Sequence, residues 1–346
     1  MSLLRPPFAP MDAQLVGEIP GGGGWQYEPK WDGFRCLVFR GRTTVELQSK
    51  SGQPLGRYFP EIVALFKELA APKFVLDGEI VVPASDGRSL SFDDLLQRIH
   101  PAESRINKLA ASTPAAFIAF DLLQSDDGRS LISLPFSERR EALERFMKKY
   151  AKKHARLLLS PATADISVAR SWFATTGAVL DGIVAKRLDS PYVSGERSGM
   201  VKIKRLRTAD CVVGGFRYGT NSKQVGSLLL GLYDDAGLLH HVGFTSSFTG
   251  EFRKTLKEKV EALIKPPGFT GSAPGGPSRW STERSTEWQP LAPKLVVEVR
   301  YDHFSGGRFR HGTKFLRWRP DKAPRQCTLT QVAQESAVSL DELVHS

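Results

Sequence analysis

Over the first 206 residues the apolar positions recur with two periods. Alternating, Val-, Leu- and Phe-rich stretches at Phe34 to Arg40 and Thr43 to Gln48 predict antiparallel strands joined by a turn near Gly41-Arg42. Ile62, Phe66 and Leu69 at helical spacing predict a helix over Phe59 to Ala70. Phe74 to Val82, Ala115 to Leu123, Asp181 to Arg187 and Met200 to Arg205 predict further strands. Ser91-Phe-Asp-Asp94 opens a helix with a capping-box pattern. Ser137 to Lys153 is amphipathic, with lysines at its C-terminal end where they suit the helix dipole. Val168 to Thr176 predicts a shorter helix stopped by Gly177. Near residue 207 the texture changes to short strands at Ala209 to Phe216, Gly226 to Tyr233 and Leu238 to Phe244. A helix from the N-cap Thr249 to Lys265, a Pro/Gly/Ser-rich loop over 266–279, and strands in Leu295 to Tyr301 and 308–319 follow. Short strands around one helix predict a small five-stranded barrel of the oligonucleotide-binding (OB) kind. The expected domains are 1–206 and 207–346, the second ending in a mildly acidic tail, 326–346.

Charge interrupts this pattern in three places. Asp77 and Glu79 stand at i and i+2 in an apolar strand and share a face. Two carboxylates there are costly unless paired or bound to a cation, so they read either as a solvated acidic edge or as a divalent metal site of the kind Mg²⁺ takes. Lys202 and Lys204 likewise share one face, opposite Val201 and Ile203. Like charges so placed call for an anion between them, a phosphate being the natural occupant, unless the strand is a solvated edge. The third place is Tyr27-Glu-Pro-Lys30-Trp-Asp-Gly-Phe-Arg35. A lysine amine is a nucleophile only when neutral; burial by Trp31 and Phe34 and cations such as Arg35, Lys202 and Lys204 are expected to push its pKa down. Asp32-Gly33 reads as a tight turn, and Lys-x-Asp-Gly alone also describes an ordinary surface turn. Gly21 to Gly24 read as a flexible hinge, and no Gly-x-x-x-x-Gly-Lys-Ser/Thr loop occurs.

Composition narrows the partner. The 346 residues carry a net charge of +11. The excess is shared, with 29 Lys+Arg against 23 Asp+Glu over 1–206 and 19 against 14 over 207–346. Two domains gripping one polyanion fit that distribution; a basic enzyme with small anionic substrates fits it too. Cys36, Cys211 and Cys327 are far apart and lack a Cys-x-x-Cys partner, which suits a reduced, cytoplasmic setting without zinc or disulfides. No segment reads as a signal peptide or membrane span.

In this order the stretches resemble the motifs of the covalent nucleotidyltransferase superfamily, and within it the ATP-dependent DNA ligases. Lys30-Trp-Asp-Gly-Phe-Arg35 looks like motif I, Ser49-Lys-Ser-Gly52 like motif Ia and Asp77-Gly-Glu79 like motif III. Phe120-Asp121 looks like motif IIIa, Asp181-Gly-Ile-Val-Ala-Lys186 like motif IV, Met200-Val-Lys-Ile-Lys204 like motif V and Arg319-Pro-Asp-Lys322 like motif VI. The compact length most resembles the small bacterial C-type ligases. The resemblance implies an α+β fold: an adenylation domain of antiparallel sheets and flanking helices, then an OB-fold barrel. It implies that Lys30 attacks the α-phosphate of ATP and carries AMP. Glu28 would contact the adenine edge and Phe120 stack on the ring. Arg35 and Lys50 would hold ribose or phosphates, with Arg197 near the same pocket. Glu79 and Asp181 would bind or orient Mg²⁺, and Lys186, Lys202 and Lys204 would neutralise the α-phosphate. Arg319, Asp321 and Lys322 would orient the leaving pyrophosphate, so the second domain would close over ATP about a hinge near Arg205 to Ala209.

The resemblance implies nicked duplex DNA as substrate, ribonucleotides at the nick included, with a repair polymerase as partner, no membrane, and a monomeric enzyme. Two departures stand out: Lys50 where motif Ia usually has arginine, losing the bidentate fork, and Asp181 where motif IV usually has glutamate. RNA ligases and capping enzymes share the lysine chemistry, the latter with GTP. A non-catalytic nucleic-acid-binding module that kept the fold is the alternative of another class.

Overall fold

A computed structural model of the chain describes residues 4–86, 89–174, 180–246, 248, 250–275, 287–333 and 343. The chain divides into two compact units, Met1–Arg205 with Glu335–Ser346, and Leu206–Gln334. The strands of the first unit are β1 (Gln14–Leu15), β2 (Trp25–Trp31), β3 (Phe34–Arg40), β4 (Val45–Ser49), β5 (Phe74–Val81), β6 (Ala116–Gln124), β7 (Leu157–Leu159), β8 (Leu180–Arg187) and β9 (Met200–Lys204). Its helices are α1 (Pro60–Glu68), α2 (Phe92–Gln97), α3 (Glu103–Ser112), α4 (Phe136–Tyr150) and α5 (Ile166–Ala174).

Two sheets form, in the orders β1-β9-β8-β2 and β4-β3-β5-β6-β7. Period-2 alternation explains the layering. In β3 and β5 the even-numbered Cys36, Val38, Leu76 and Ile80 enter a core with Phe59, Ile62 and Phe66, which is where α1 packs. The odd-numbered Leu37, Phe39 and Val75 face the other way and meet Met11, Tyr192 and Met200 from the β9 side. In the first sheet Tyr27, Trp31, Ile183, Ala185 and Ile203 turn outward onto α5. The space between the sheets is thus lined by the opposite residues of β2, β8 and β9.

Ser91 Oγ accepts the Asp94 N–H at 3.2 Å, as its capping pattern required. Helix α3 buries only Ile106, so its apolar positions show little periodicity and it went unpredicted. Helix α5 starts two residues before the predicted Val168, because Asp165 takes the Ser167 N–H at 2.7 Å. The proposed stop at Gly177 and cap at Thr249 lie outside the described residues. The tail was assigned to the second domain from sequence, but Leu343 is buried with Tyr27 and Trp31 in the first unit.

The second unit holds β10 (Arg207–Tyr218), β11 (Val225–Tyr233), β12 (Leu239–Thr245), α6 (Gly250–Glu261), β13 (Gln289–Pro290), β14 (Val296–Tyr301), β15 (Phe304–Ser305), β16 (Arg308–Phe309) and β17 (Lys314–Trp318). Its main sheet runs β12-β11-β10-β14-β17. The two ends of that order meet in a parallel bridge between Thr245 and Thr313. This order, with the helix between the third and fourth long strands, is that of an OB-fold. Helix α6 stops short of the predicted Lys265. Among the described residues no helix is long and apolar enough to cross a membrane.

Candidate active site

Register places the charged residues. Across β2, β8 and β9 the rows are Gln26–Lys186–Met200, Glu28–Val184–Lys202 and Lys30–Gly182–Lys204. All face the space between the sheets, where a cavity of about 720 Å³ takes in Glu28, Lys30, Lys186 and Lys202. Arg35, Lys50, Glu79 and Phe120 line it as well. The size suits a nucleotide. In the third row two lysines flank a glycine. Gly182 has φ 147°, and a Cβ there would lie 1.9 Å from the Ile203 carbonyl oxygen. The residue before it, Asp181, reaches both lysines of the row, forming an ion pair with Lys30 and another with Lys204 at 3.0 Å.

The electrostatics correct one expectation. Burial does depress the Lys30 amine, but Asp181, with Glu79 and Asp32 behind it, outweighs burial and holds the amine above its ordinary range. Of the three expected cations, Lys202 and Lys204 come together with Lys30, and Lys202 is lowered by burial and by Lys50, Lys30 and Lys204, against Asp12. Glu79 is half-buried and pushed up to about 8, burial outweighing Lys30 and Arg35. Such a carboxylate gains by meeting a cation. The neighbouring Asp77 is not available for one. It is fully buried, and its oxygens accept from Arg35 Nε and Nη2 at 3.0 and 2.7 Å and from the Tyr192 hydroxyl at 2.7 Å. The acidic pair therefore splits into a structural Asp77 and a cavity-facing Glu79.

Among the described residues no three metal-binding side chains converge. Glu79 and Asp181, both acting on Lys30, are a fitting donor pair even so. Mg²⁺ is commonly held by one or two carboxylates and completed by substrate oxygens and water.

At the other end of β2 the chemistry differs. Lys186 Nζ donates to Glu28 Oε2 at 2.8 Å and to the Phe120 carbonyl at 3.0 Å, and sits 4.8 Å from the Phe120 ring centroid. It lies four residues along the ladder from the Lys30 row, roughly 13 Å at 3.3 Å per residue. That groups Lys186 with Glu28 and Phe120, the residues implied to meet the base, rather than with Lys202 and Lys204. Arg35, implied to hold ribose or phosphate, lines the cavity 5.6 Å from the same ring while Asp77 fixes its fork. Beneath Phe120, Asp121 is locked to Arg139 of α4 by two hydrogen bonds of 2.9 and 3.1 Å.

The remaining first-unit cations gather on a residue the sequence reading passed over. Asp12 accepts from Lys50 at 2.8 Å and pairs with Arg197 at 3.5 Å and Lys202 at 3.6 Å. Its signal was faint: one acid between the buried Met11 and Ala13 in a proline-containing lead-in.

In the second unit Arg319, Asp321 and Lys322 stand together after β17. Arg319 Nη1 donates to both oxygens of Asp210 at 2.9 and 3.0 Å and its Nε to Asp321 at 3.0 Å, while Lys322 donates to Asp210 at 2.7 Å. Asp210, also missed, carried the signal used for Asp77, an acid inside an apolar strand.

The chain as a whole is similar to known proteins. The family described as ATP dependent DNA ligase domain matches residues 10–204, and ATP dependent DNA ligase C terminal region matches residues 221–322. DNA ligase C1 of Mycolicibacterium smegmatis is 46% identical over 338 residues, covering 95% of this chain and 94% of that protein. The multifunctional non-homologous end joining DNA repair protein LigD of Mycobacterium tuberculosis is 32% identical, covering 92% of this chain and 39% of that protein. The solved structure named Pmar-Lig_Pre matches with a TM-score of 0.61 at 19% identity, covering 90% of this chain and 67% of that one, a likeness of fold.

Proposed function

We propose, from the premise that this chain belongs to the ATP-dependent DNA ligase family, that Lys30 is the residue through which it joins DNA. The observation that carries this reading is the Lys30–Gly182–Lys204 row, which sets Lys30 at the cavity with Asp181 bridging both amines. Lys30 Nζ attacks the α-phosphorus of ATP; a P–N bond forms and the P–O bond to pyrophosphate breaks. Asp181 Oδ2 holds the proton that the amine must shed. Glu28, Lys186 and Phe120 receive the adenine, and Lys50, Arg197, Lys202 and Lys204 face the phosphates. Arg35, fixed by Asp77, keeps the wall between base and phosphates charged. Glu79 and Asp181 are the residues to hold Mg²⁺, which would neutralise phosphate charge and offset the negative charge these carboxylates place on the amine. Arg319, Asp321 and Lys322 orient the pyrophosphate.

The DNA 5′-phosphate then displaces Lys30 from AMP, and the 3′-hydroxyl displaces AMP, leaving a phosphodiester. Phosphoryl transfer of this kind depends chiefly on positioning and on neutralised charge. The word repair in the LigD relative's name supports a repair role. We place the enzyme in the cytoplasm as a monomer, its three cysteines buried and unbridged. It acts after a repair polymerase, on nicks whose 3′ side is deoxy- or ribonucleotide.

Incubation with α-labelled ATP and Mg²⁺ tests the reading. Label retained on the protein, absent from Lys30→Ala and absent with GTP, is the expected result. Equal labelling of wild type and Lys30→Ala refutes it.

A further inference from the structure

The cavity reading explains why cations line the phosphate end, but not why an acid stands among them. Asp12 lines the same cavity as Lys30. Its carboxylate is approached by Lys50, Arg197 and Lys202, three cations drawn from the turn after β4, the segment before β9 and β9 itself. The placement is built in. Met11 and Ala13 on either side are buried. Met11 N–H donates to the Tyr192 hydroxyl at 3.0 Å, and that hydroxyl donates to Asp77, the partner of Arg35. Asp12 N–H donates to the Glu196 carbonyl at 2.8 Å, and Ala13 N–H caps the Asp12 carboxylate at 2.9 Å. A side chain held this firmly is not a solvated surface charge. Burial alone would raise its pKa, but Lys50, the Ala13 N–H and Lys202 prevail and hold it at about 2, so it is ionised at every working pH.

We propose that Asp12 is a positioning residue: a resident counter-ion that keeps Lys50, Arg197 and Lys202 gathered where a substrate phosphate will lie, and then competes with that phosphate so that pyrophosphate leaves. The proposal rests on the cavity being the ATP site. In the empty site the carboxylate offsets the mutual repulsion of the three cations; once a phosphate is bound the phosphate does so instead, and the carboxylate is then a rival anion. The same carboxylate opposes any second anion entering the cluster, so it weakens the hold on the product. Lysine suits this role better than arginine at position 50. A point charge exchanges one oxygen partner for another without breaking a bidentate fork.

Asp12→Asn keeps the shape and removes the charge. The expected result is that pyrophosphate inhibits formation of the AMP adduct at about fivefold lower concentration than in wild type, the size of one unit charge acting across several ångströms of partly screened space. KM for ATP falls and kcat falls with it, because release slows, and Asp12→Glu restores both. A residue with a merely structural role gives the opposite sign, weaker binding of ATP and pyrophosphate together. Unchanged or weaker inhibition by pyrophosphate in the folded variant overturns the proposal. Should Asp12→Asn not fold, Asp12→Ser is measured in its place; loss of the fold in both makes Asp12 structural and overturns the proposal as well. Failure of the wild type to take label from ATP sinks the cavity reading instead, so the two failures are told apart.

Discussion

Two carboxylates in different units each hold a pair of cations: Asp181 holds Lys30 and Lys204, and Asp210 holds Arg319 and Lys322. The partners differ in kind. Arg319 donates from one nitrogen, Nη1, to both oxygens of Asp210 and presents its fork, Nε and Nη2, to Asp321. Such contacts fix geometry and are hard to exchange. Asp181 meets two ammonium groups, compact charges that rotate and swap partners readily. The surroundings differ as well. Glu79 and Asp32 also act on Lys30, whereas Arg319 is held up first by Asp321 and then by Asp210. An ion pair meant to persist is built from a fork; one that must open at every turnover is built from point charges among rivals.

Changes on the two sides of this contrast are expected to differ in size. Asp181→Asn should slow formation of the AMP adduct on the order of a hundredfold, since it removes charge aimed at the reacting centre; single-turnover labelling reads this. An effect below threefold would place Asp181 on the fixed side of the comparison. Lys322→Ala should slow adduct formation at least about tenfold, yet cost less in sealing a pre-adenylated nick. Equal losses in both assays would remove the role in orienting pyrophosphate.

Glu79→Gln sharpens the contrast through stability. The folded-state pKa of Glu79 is about 8, above its unfolded value near 4.3. Between these values the unfolded chain has lost a proton that the folded chain keeps, so this residue destabilises the ligand-free fold increasingly as pH rises. The advantage of the glutamine variant should therefore grow from about pH 4.5 to 8, by at most about 1.4 kcal/mol per unit, and level off above. Water in the cavity flattens the slope. Denaturant unfolding without Mg²⁺ at several pH values checks it, and a pH-independent difference would contradict the burial of Glu79. The smallest change belongs to the fixed pair. Asp210→Asn is expected to lower stability by about 1–2 kcal/mol, because its cations keep some contact with water. No loss on denaturation would mean that Asp210 is not what anchors them.

Much of this was legible in the sequence because strands alternate. Once Glu79, Lys202 and Lys204 were read on strands, their faces followed; Lys30 was read only beside a turn, and the pairing of β2 with β8 and of β8 with β9 is what sets it in one row with Lys204. What stayed hidden were partners far apart along the chain. Asp77 and Arg35 are 42 residues apart, Asp12 and Lys50 are 38, and Lys186 and Glu28 are 158. No local period reports such pairs. For the same reason the sign of the Lys30 shift was missed. Cations nearby were readable from the motif spacing, whereas the acid touching the amine depended on how β8 meets β2. Helix α3 escaped because a single buried side chain leaves no stripe, and Leu343 because nothing local in the tail tells which unit its apolar residues join.

Gly182 has a consequence for what the seam between β8 and β9 can tolerate. Any other residue there would drive its first side-chain carbon into the Ile203 carbonyl and wedge β8 away from β9. Those two strands carry Asp181 and Lys204, so the gauge of the charged track beside the nucleophile is set by the width of a single hydrogen atom. Variation can accumulate over most of the surface, but at this point the smallest possible insertion derails the chemistry.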